Sequence, residues 1–267
     1  RHDMAGQSIL TRLLPGWIPG FVRDRTVMKN GVDPTSAEGA SNQPYHVPHF
    51  RMTAAMVDLP IPVGFWRSVG HSSTAFVVES FIDELADAAG RDPYTYRREL
   101  LSDHPRHLAV LNAVAEAAAW GSDVPEGRAR GIAVAESFGS YVAQVAEVSV
   151  EDGRPRIHKV WCAIDCGVVV NPAIVRAQME SGIIFGLTAA LYGRVNIEAG
   201  RAVQSNFHDY QMLRMNEAPD IHVVLAPSGD GPGGAGEPGV PPIAPAVTNA
   251  LFALTGERIR TLPIALG

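Results

Sequence analysis

Hydrophobic and polar positions follow a helical period in some regions of this chain and an alternating period in others. The stretch "SSTAFVVESFIDELADAAG" has apolar residues at helical spacing, with Ser73 as the expected N-cap and Gly90 as the expected residue after the helix. The predicted apolar face of this helix consists of Phe76, Val77, Phe81, Leu85 and Ala88. We expect that face to pack against the core.

Three further helical segments are indicated by capping residues and breakers. Asp92 followed by Pro93 begins one helix, because the pair supplies a cap and then a proline at the first helical position. The next helix, "HLAVLNAVAEAAAWG", is expected to end at Gly121. A last helix is predicted from Pro242 to Thr255.

Asn171 followed by Pro172 begins a longer helix, "PAIVRAQMESGIIFGLTAALYG". Its Gly182 and Gly186 lie one turn apart, so another backbone could approach closely at that face. The middle of the chain alternates instead, and "ARGIAVAESFGSYVAQVAEVSVEDGRPRIHKVWCAIDCG" predicts strands joined by a hairpin turn at "EDGRP". Further β-like stretches are "GRVNIEAGRAVQSNF" and "DIHVVLAP". The predicted fold class is α+β, with a mixed sheet and packed helices.

Prolines interrupt every periodic run in residues 1–62, whereas the regular elements follow that region. We therefore expect an extended, proline-rich arm at residues 1–62 that lies over a partner surface. Residues 63–267 form the main region, with a candidate division into two subdomains near residue 125. Position 1 is Arg1 and not methionine, so the sequence is expected to be a piece of a longer polypeptide.

Composition and charge narrow the function classes. The chain has 267 residues, 46% hydrophobic residues and a net charge of −6, which argues against a nucleic-acid partner. No apolar run reaches the roughly 18 residues of a transmembrane segment. The two cysteines, Cys162 and Cys166, are too few for an iron–sulfur cluster, which needs about four cysteine ligands. We expect buried structural thiols, with a metal or disulfide role as the alternative.

Residues 227–242 read "PSGDGPGGAGEPGVPP" and contain Glu237 directly before the last helix. Backbone amides at a helix N-terminus bind anions, so the loop is a candidate ligand site with one acid for chemistry. It lacks the Lys-Ser/Thr of a P-loop and the GxGxxG spacing of a dinucleotide-binding unit, which excludes those two kinds of nucleotide site. A flexible surface turn is the alternative for the loop.

Three separated segments resemble the molybdenum hydroxylases, the xanthine dehydrogenase and aldehyde oxidase family. The segment "GAGEPGVPPIAPAVTNALFALTG" is similar to the family's GxGEP segment, and "VGFWRSVGHSSTAFVVESFIDELADAAGRDP" to its FRG-x-G loop with the following helix. The segment "AIDCGVVVNPAIVRAQMESGIIFGL" is similar to its D-x-G…NP…Q-x-E-G segment. The three segments follow one another in the same order and at similar spacing as in that family. The likeness is greatest to the large, molybdopterin-binding subunit of the branch with isoquinoline 1-oxidoreductase and bacterial aldehyde dehydrogenases, of which this chain would be the C-terminal portion.

The resemblance implies that Glu237 is the general base, which takes a proton from a hydroxide on the metal so that the oxygen can attack an electrophilic carbon. It implies that the following residues bind the cofactor: Arg67, Ser68, Gly70, His71, Gln178 and Gly236. The side-chain amide of Gln178 would bond the pterin, and Arg67 would face the cofactor. Three of these residues also have an ordinary alternative. Arg67 could be a surface or ion-paired arginine, Gln178 a solvent-facing glutamine, and His71 a loop residue that makes a hydrogen bond without contacting the cofactor.

Other residues refine the implied chemistry. Val69 stands where xanthine-oxidising members have an aromatic residue, which argues against a purine substrate. Asp165, in the D-x-G turn, is expected to cap its own loop. His208 and Asp209 could form an acid–base pair, but no third orienting group is visible, so a structural role is expected.

The implied cofactor is molybdopterin cytosine dinucleotide with molybdenum, and no residue of this chain is expected to ligate a metal. Iron–sulfur clusters would lie on a small [2Fe-2S] partner subunit. The N-terminal portion of the same large subunit would complete the pocket, because the family's glycine-rich segment near the metal is missing here. The implied function is hydroxylation of an N-heterocycle or oxidation of an aldehyde, with water as oxygen donor.

Two other functions remain open from the sequence. One is a non-catalytic scaffold that keeps the fold and binds a partner subunit. The other is an unrelated anion-binding α+β module. The compartment, periplasm or cytoplasm, and the substrate are open as well.

Overall fold

The computed structural model describes residues 2–5, 15, 17–19, 21–22, 32–57, 61 and 63–266. The helices in these ranges are α1 (Pro34–Ala37), α2 (His71–Ala88), α3 (Pro93–Leu100), α4 (Pro105–Ala117), α5 (Pro172–Tyr192) and α6 (Ile243–Thr255). The strands are β1 (His2–Ala5), β2 (Ala54–Val57), β3 (Ala129–Ser137), β4 (Ser140–Glu151), β5 (Arg154–Asp165), β6 (Ile197–Glu198), β7 (Arg201–Ala202) and β8 (Asp220–Leu225).

The central sheet has four strands in the order β3-β4-β5-β8. Strands β3, β4 and β5 are antiparallel neighbours, and β8 joins β5 in parallel, which confirms the predicted mixed sheet. The turn in "EDGRP" is confirmed, because Asp152 and Gly153 both have positive φ, as a two-residue type I′ hairpin requires. Phe138 and Gly139 form a second such turn, which the alternation alone did not single out.

Helices cover the central sheet on both faces. Along β4, Val142 and Ala146 face a core cluster that includes residues of α5 and α6. Ala143 and Val145 point the other way, into a cluster with residues of α2 and α4. Because both faces are buried, the strands read as nearly continuous hydrophobic runs.

Helix α2 departs from its sequence prediction at two points. It begins at His71 with Gly70 as N-cap, and the Ser73 hydroxyl donates to the Gly70 carbonyl instead of capping the helix. The predicted apolar face is confirmed at Phe76 and Leu85, which pack against the core, and wrong at Val77 and Phe81, which are 52% and 56% exposed. Gly90, by contrast, has φ +61°, as predicted for the residue after the helix.

The inward face of α2 carries charge that is fully paired. Glu79 is 1% exposed and accepts hydrogen bonds from the Tyr45 hydroxyl, Arg97 Nε and the Val134 amide. Burial alone would lower the pKa of Arg97, but the Glu79, Tyr45 and Asp83 groups beside it raise that pKa above its ordinary value. Because this cluster occupies the buried face of the helix, Val77 and Phe81 face outward.

Helix α5 confirms its predicted cap and its predicted close approach. The Asn171 side chain accepts from the amides of Ala173 and Ile174. A Cβ on Gly182 would lie 3.1 Å from the Gly239 Cα, so the loop before α6 packs directly on this helix.

Among the described residues one helix, α5, is long and apolar enough by composition to cross a membrane, with a mean hydropathy of 1.2 over its 18-residue window. Met179, Ile183 and Leu187 on this helix are completely buried in the core of the protein. Packing inside the fold accounts for these three apolar positions.

Three further predictions concern the arm, helix α4 and the cysteines. The predicted arm contains Tyr45, which is 3% exposed and lies in the core cluster that includes α2 and α4. The boundary at residue 62 and the division near residue 125 stay predictions.

Helix α4 ends at Ala117, short of the predicted Gly121. Cys162 and Cys166 are free and buried, and burial raises the pKa of Cys162 to about 12.

Candidate active site

Glu237 lies in the loop between β8 and α6, where its carboxylate meets the turn that precedes α2. The Ser68 amide donates to Glu237 Oε1 at 3.0 Å, and the Ser68 hydroxyl donates to the Glu237 carbonyl at 2.7 Å. Glu237 itself is half-buried. Glu237 therefore faces the turn that contains Ser68, although the two residues lie 169 positions apart in the chain.

The turn that contains Ser68 has an unusual backbone. Ser68 has φ +75° and Val69 has φ +49°, a region that costs a non-glycine residue about 1–3 kcal/mol. The turn is stabilised on both sides, since the Val69 amide donates to the Trp66 carbonyl and the Gly70 amide donates to Glu38 Oε1. The strained conformation directs the Ser68 amide at the Glu237 carboxylate.

Arg67 ties the same turn to the Glu237 loop and to α5. Its Nε donates to the Gly236 carbonyl at 2.8 Å, and its Nη1 donates to the Ser181 hydroxyl at 3.0 Å. Its Nη2 donates to Gln178 Oε1 at 3.2 Å. Burial lowers the pKa of the Arg67 guanidinium, and the nearby Glu237 carboxylate opposes that shift.

Gln178 and Gly236 leave an open, polar space beside Glu237. Gln178 Oε1 is taken by Arg67, whereas Gln178 Nε2 donates to no atom of the residues that the structure describes. A Cβ on Gly236 would contact only Gln178 Oε1, at 3.8 Å, so a side chain there would fill this space. A free amide donor next to an uncrowded glycine fits a flat group that carries hydrogen-bond acceptors, as a pterin does.

Gln144 holds the Glu237 loop through a hydrogen bond, and the sequence alone did not identify it. It is completely buried on β4, and its Nε2 donates to the Gly239 carbonyl at 2.9 Å. Its sequence signal is an amide inside an otherwise apolar strand. Such a residue needs a partner when buried, but its position does not identify that partner.

Gly70 and His71 lie at the start of α2 and contact a residue that the sequence did not indicate. Glu38 Oε1 accepts from the Gly70 amide and lies 3.2 Å from His71 Nδ1. The Glu38 carbonyl also accepts from the Thr74 hydroxyl. The amide of the N-cap residue therefore already has an anionic partner within the chain, and the cofactor-binding roles of Gly70 and His71 stay predictions.

Two aromatic side chains border the Arg67 turn. The rings of Trp66 and Phe185 lie 4.7 Å apart, and the Arg67 guanidinium lies 5.6 Å from the Phe185 ring. Phe65 and Trp66 are 46% and 43% exposed. The Trp66 and Phe185 rings therefore form an apolar rim beside Arg67.

Asp165 caps its own loop, as predicted. Its Oδ1 accepts from the Gly167 amide and from Ser228, and its Oδ2 accepts from Arg106 at 2.6 Å. Burial alone would raise the pKa of Asp165, but these hydrogen bonds lower it to about 2. The carboxylate is therefore charged near neutral pH and anchors this loop.

His208 and Asp209 behave as surface loop residues. The His208 side chain is 73% exposed and lies 3.5 Å from Asp209 Oδ2. Asp209 accepts from the amides of Ser205 and Asn206, so its oxygens organise the loop. This geometry favours the structural interpretation over an acid–base pair.

The sheet and α5 belong to a class of protein that the sequence comparison identifies. The family model described as molybdopterin cofactor-binding domain matches residues 104–219, which include β3, β4, β5 and α5. Aldehyde oxidoreductase from Desulfovibrio gigas has a similar fold, with a TM-score of 0.64 over 86% of this chain and 44% of that chain, at 14% identity. The matched range excludes Arg67 and Glu237, so their roles remain proposals.

Two proteins are similar in sequence over most of the chain. The beta subunit of isoquinoline 1-oxidoreductase from Brevundimonas diminuta is 36% identical over 99% of this chain and 33% of its own length. A nicotinate dehydrogenase subunit from Pseudomonas putida is 34% identical over 89% of this chain and 22% of its own length. The chain spans a third or less of the length of these relatives. It belongs to the molybdenum hydroxylase family, which excludes the unrelated anion-binding module.

Proposed function

We propose that this chain forms part of the molybdopterin-binding subunit of a molybdenum-dependent oxidoreductase. The enzyme would hydroxylate an N-heterocycle or oxidise an aldehyde, with water as the oxygen donor. Two relatives are named for isoquinoline and nicotinate, which supports the N-heterocycle class. The observation that carries the proposal is the carboxylate of Glu237, held by the Ser68 amide beside an open polar space.

In the proposed enzyme, residues of this chain would bind the cofactor, limit the access of water and accept a proton. Gln178, whose Oε1 is fixed by Arg67, presents its free Nε2 to an acceptor atom of the pterin. The aromatic rim at Trp66 and Phe185 reduces water access from one side. Glu237 accepts a proton at its carboxylate and holds it until it is released to solvent. The bound cofactor supplies the electrophilic metal and accepts the electrons of the oxidation.

Finer points of the proposal concern the cofactor form and the partners. We propose the cytosine dinucleotide form of molybdopterin and iron–sulfur clusters on a small [2Fe-2S] partner subunit. Both relatives are named as subunits, which supports an assembly of several chains. Cys162 and Cys166 are buried free thiols, and the described residues contain no cluster of ligands that could hold a metal ion.

The proposal is tested on the complete enzyme, purified with its partner subunits. We expect molybdenum in equimolar amount to the chain, and cytidine monophosphate on hydrolysis of the released cofactor. Glu237→Gln should retain the metal and lower kcat by about 10²–10⁴-fold, the usual contribution of a general base. Glu198→Gln, at an exposed position of β6, is the control and should keep full turnover.

Two results would contradict this function. Full turnover in Glu237→Gln would show that another group takes the proton. A complete assembly without molybdenum and without turnover would support the non-catalytic scaffold instead.

A further inference from the structure

We propose that Ser68 is a positioning residue that orients the carboxylate of Glu237, and that it does not bind the cofactor. The proposal rests on the proposed function, since it assigns a role relative to the general base. It changes the role that the family resemblance implied for Ser68.

Ser68 uses both of its hydrogen-bond donors within the protein. Ser68 has two hydrogen-bond donors, the amide and the hydroxyl, and both go to Glu237. The residue is completely buried. No donor of Ser68 is therefore left for a bound group, and the two bonds fix both ends of the glutamate, its side chain and its own peptide carbonyl.

The second argument is the asymmetry that these bonds produce in the carboxylate. Oε1 accepts the Ser68 amide at 3.0 Å, whereas Oε2 accepts no hydrogen bond from the described residues. One oxygen is thus held by the protein and the other is open. A carboxylate that is fixed through one oxygen presents the second in a constant direction, which is the geometry that proton acceptance needs.

The third argument is that the donor belongs to a rigid turn. Ser68 and Val69 both have positive φ, and Glu38 holds the next amide, that of Gly70. Strained backbone of this kind persists where the surrounding structure determines it, and it occurs at functional sites. The direction of the Ser68 amide is therefore set by the backbone and not by a mobile side chain.

The test compares hydroxyl deletions in the complete, molybdenum-loaded enzyme. Ser68→Ala removes the bond to the Glu237 carbonyl, and Ser68→Gly removes it while also suiting φ +75°. We expect both variants to lower kcat about tenfold, with KM and molybdenum content unchanged. On the Glu237→Gln background, Ser68→Ala should lower the residual rate no further, because it acts through that carboxylate.

Ser140→Ala is the matched control. Ser140 is also completely buried, and its hydroxyl donates to the Gly234 carbonyl of the same loop, away from Glu237. It should keep kcat within about twofold of wild type if the effect belongs to Glu237 and not to general loosening of the loop. Equal losses of kcat in the Ser68 and Ser140 variants would overturn the proposal.

Hydrogen exchange supplies a measurement that does not depend on turnover. Glu237→Ala removes the acceptor of the Ser68 amide, so the peptide that contains residues 64–71 should exchange at least about tenfold faster at that amide. Unchanged exchange would overturn the positioning role. If Glu237→Gln keeps full turnover, the proposed function fails and this exchange result alone decides whether Ser68 holds the carboxylate.

Discussion

Two glutamates of this protein, Glu79 and Glu237, are held in opposite ways. Glu79 is buried, and both of its oxygens accept hydrogen bonds, from Tyr45, Arg97 and the Val134 amide. Glu237 is half-buried, and among the described residues only Ser68 donates to it, at Oε1. A carboxylate with both oxygens engaged stabilises the fold, whereas one with an open oxygen stays available for chemistry. The number of engaged oxygens thus separates a structural acid from a candidate catalytic one.

The largest effect on stability is expected at Glu79. Glu79→Gln removes the nearer of the two carboxylates that pair with the buried Arg97 and leaves only Asp83 at 3.4 Å, which should lower the free energy of unfolding by about 3–5 kcal/mol. Urea unfolding measures it. Glu84→Gln on the same helix is the control, because its pair with Arg260 is solvent-exposed and should contribute under about 1 kcal/mol. Equal losses would contradict the comparison.

Asp165 is a third acid, and it should behave like Glu79 on a smaller scale. Asp165→Asn should lower the free energy of unfolding near neutral pH by about 2 kcal/mol, since hydrogen bonds to a charged group are lost. The folded-state pKa is lowered to about 2, so the charged form stabilises the fold above the ordinary value. That contribution is lost as the pH falls from the ordinary value toward 2.

Urea unfolding of the wild type and the Asp165→Asn variant at several pH values tests this sign. The difference between them should be constant above pH 5 or so and should shrink at lower pH. A difference that grows on acidification would show that the carboxylate is not held in its charged form.

Arg67→Lys tests the connection between the two regions of the site. A lysine cannot reach the Gly236 carbonyl, Ser181 and Gln178 at once, because it lacks the planar fork of the guanidinium. We expect a loss of about 1 kcal/mol in stability and about tenfold in kcat. Arg176→Lys, at an exposed position of α5, is the control and should change neither quantity.

The smallest stability effect is expected at Glu237 itself. Glu237→Gln should change the free energy of unfolding by no more than about 0.5 kcal/mol, since the amide oxygen still accepts from Ser68. Urea unfolding alongside Glu79→Gln measures the contrast directly. A loss as large as that of Glu79→Gln would make Glu237 a structural acid and break the distinction.

Several predictions whose cause lies within a few residues were confirmed, although the N-cap at Ser73 was not. Asp92 and Asn171 cap their helices, the last helix ends at Thr255, and "EDGRP" forms the hairpin turn. Each depends on one side chain or one backbone conformation, so the local sequence is sufficient.

The orientation of α2 could not be predicted in this way. Its helical period allows either face to be buried, and apolar periodicity favours Val77 and Phe81. The structure buries Glu79 and Asp83 instead, because Arg97 and Arg258 pair with them from other parts of the chain. Partners that are distant in sequence decide the face.

The candidate site shows the same limit. The family motifs identified Arg67, Ser68, Gln178 and Glu237, but not which of them contact each other. The bonds between the Arg67 turn and the Glu237 loop join residues 169 positions apart, and no local pattern encodes that pairing.

This long separation has a consequence for biosynthesis. A nascent chain emerges from the ribosome in order, so the α2 turn is made well before residue 237 exists. The acid can join its amide only after residue 237 has emerged and α6 has docked on the sheet. Until then the left-handed turn at Ser68 lacks the carboxylate that accepts its amide. We therefore expect cofactor insertion to follow the docking of α6.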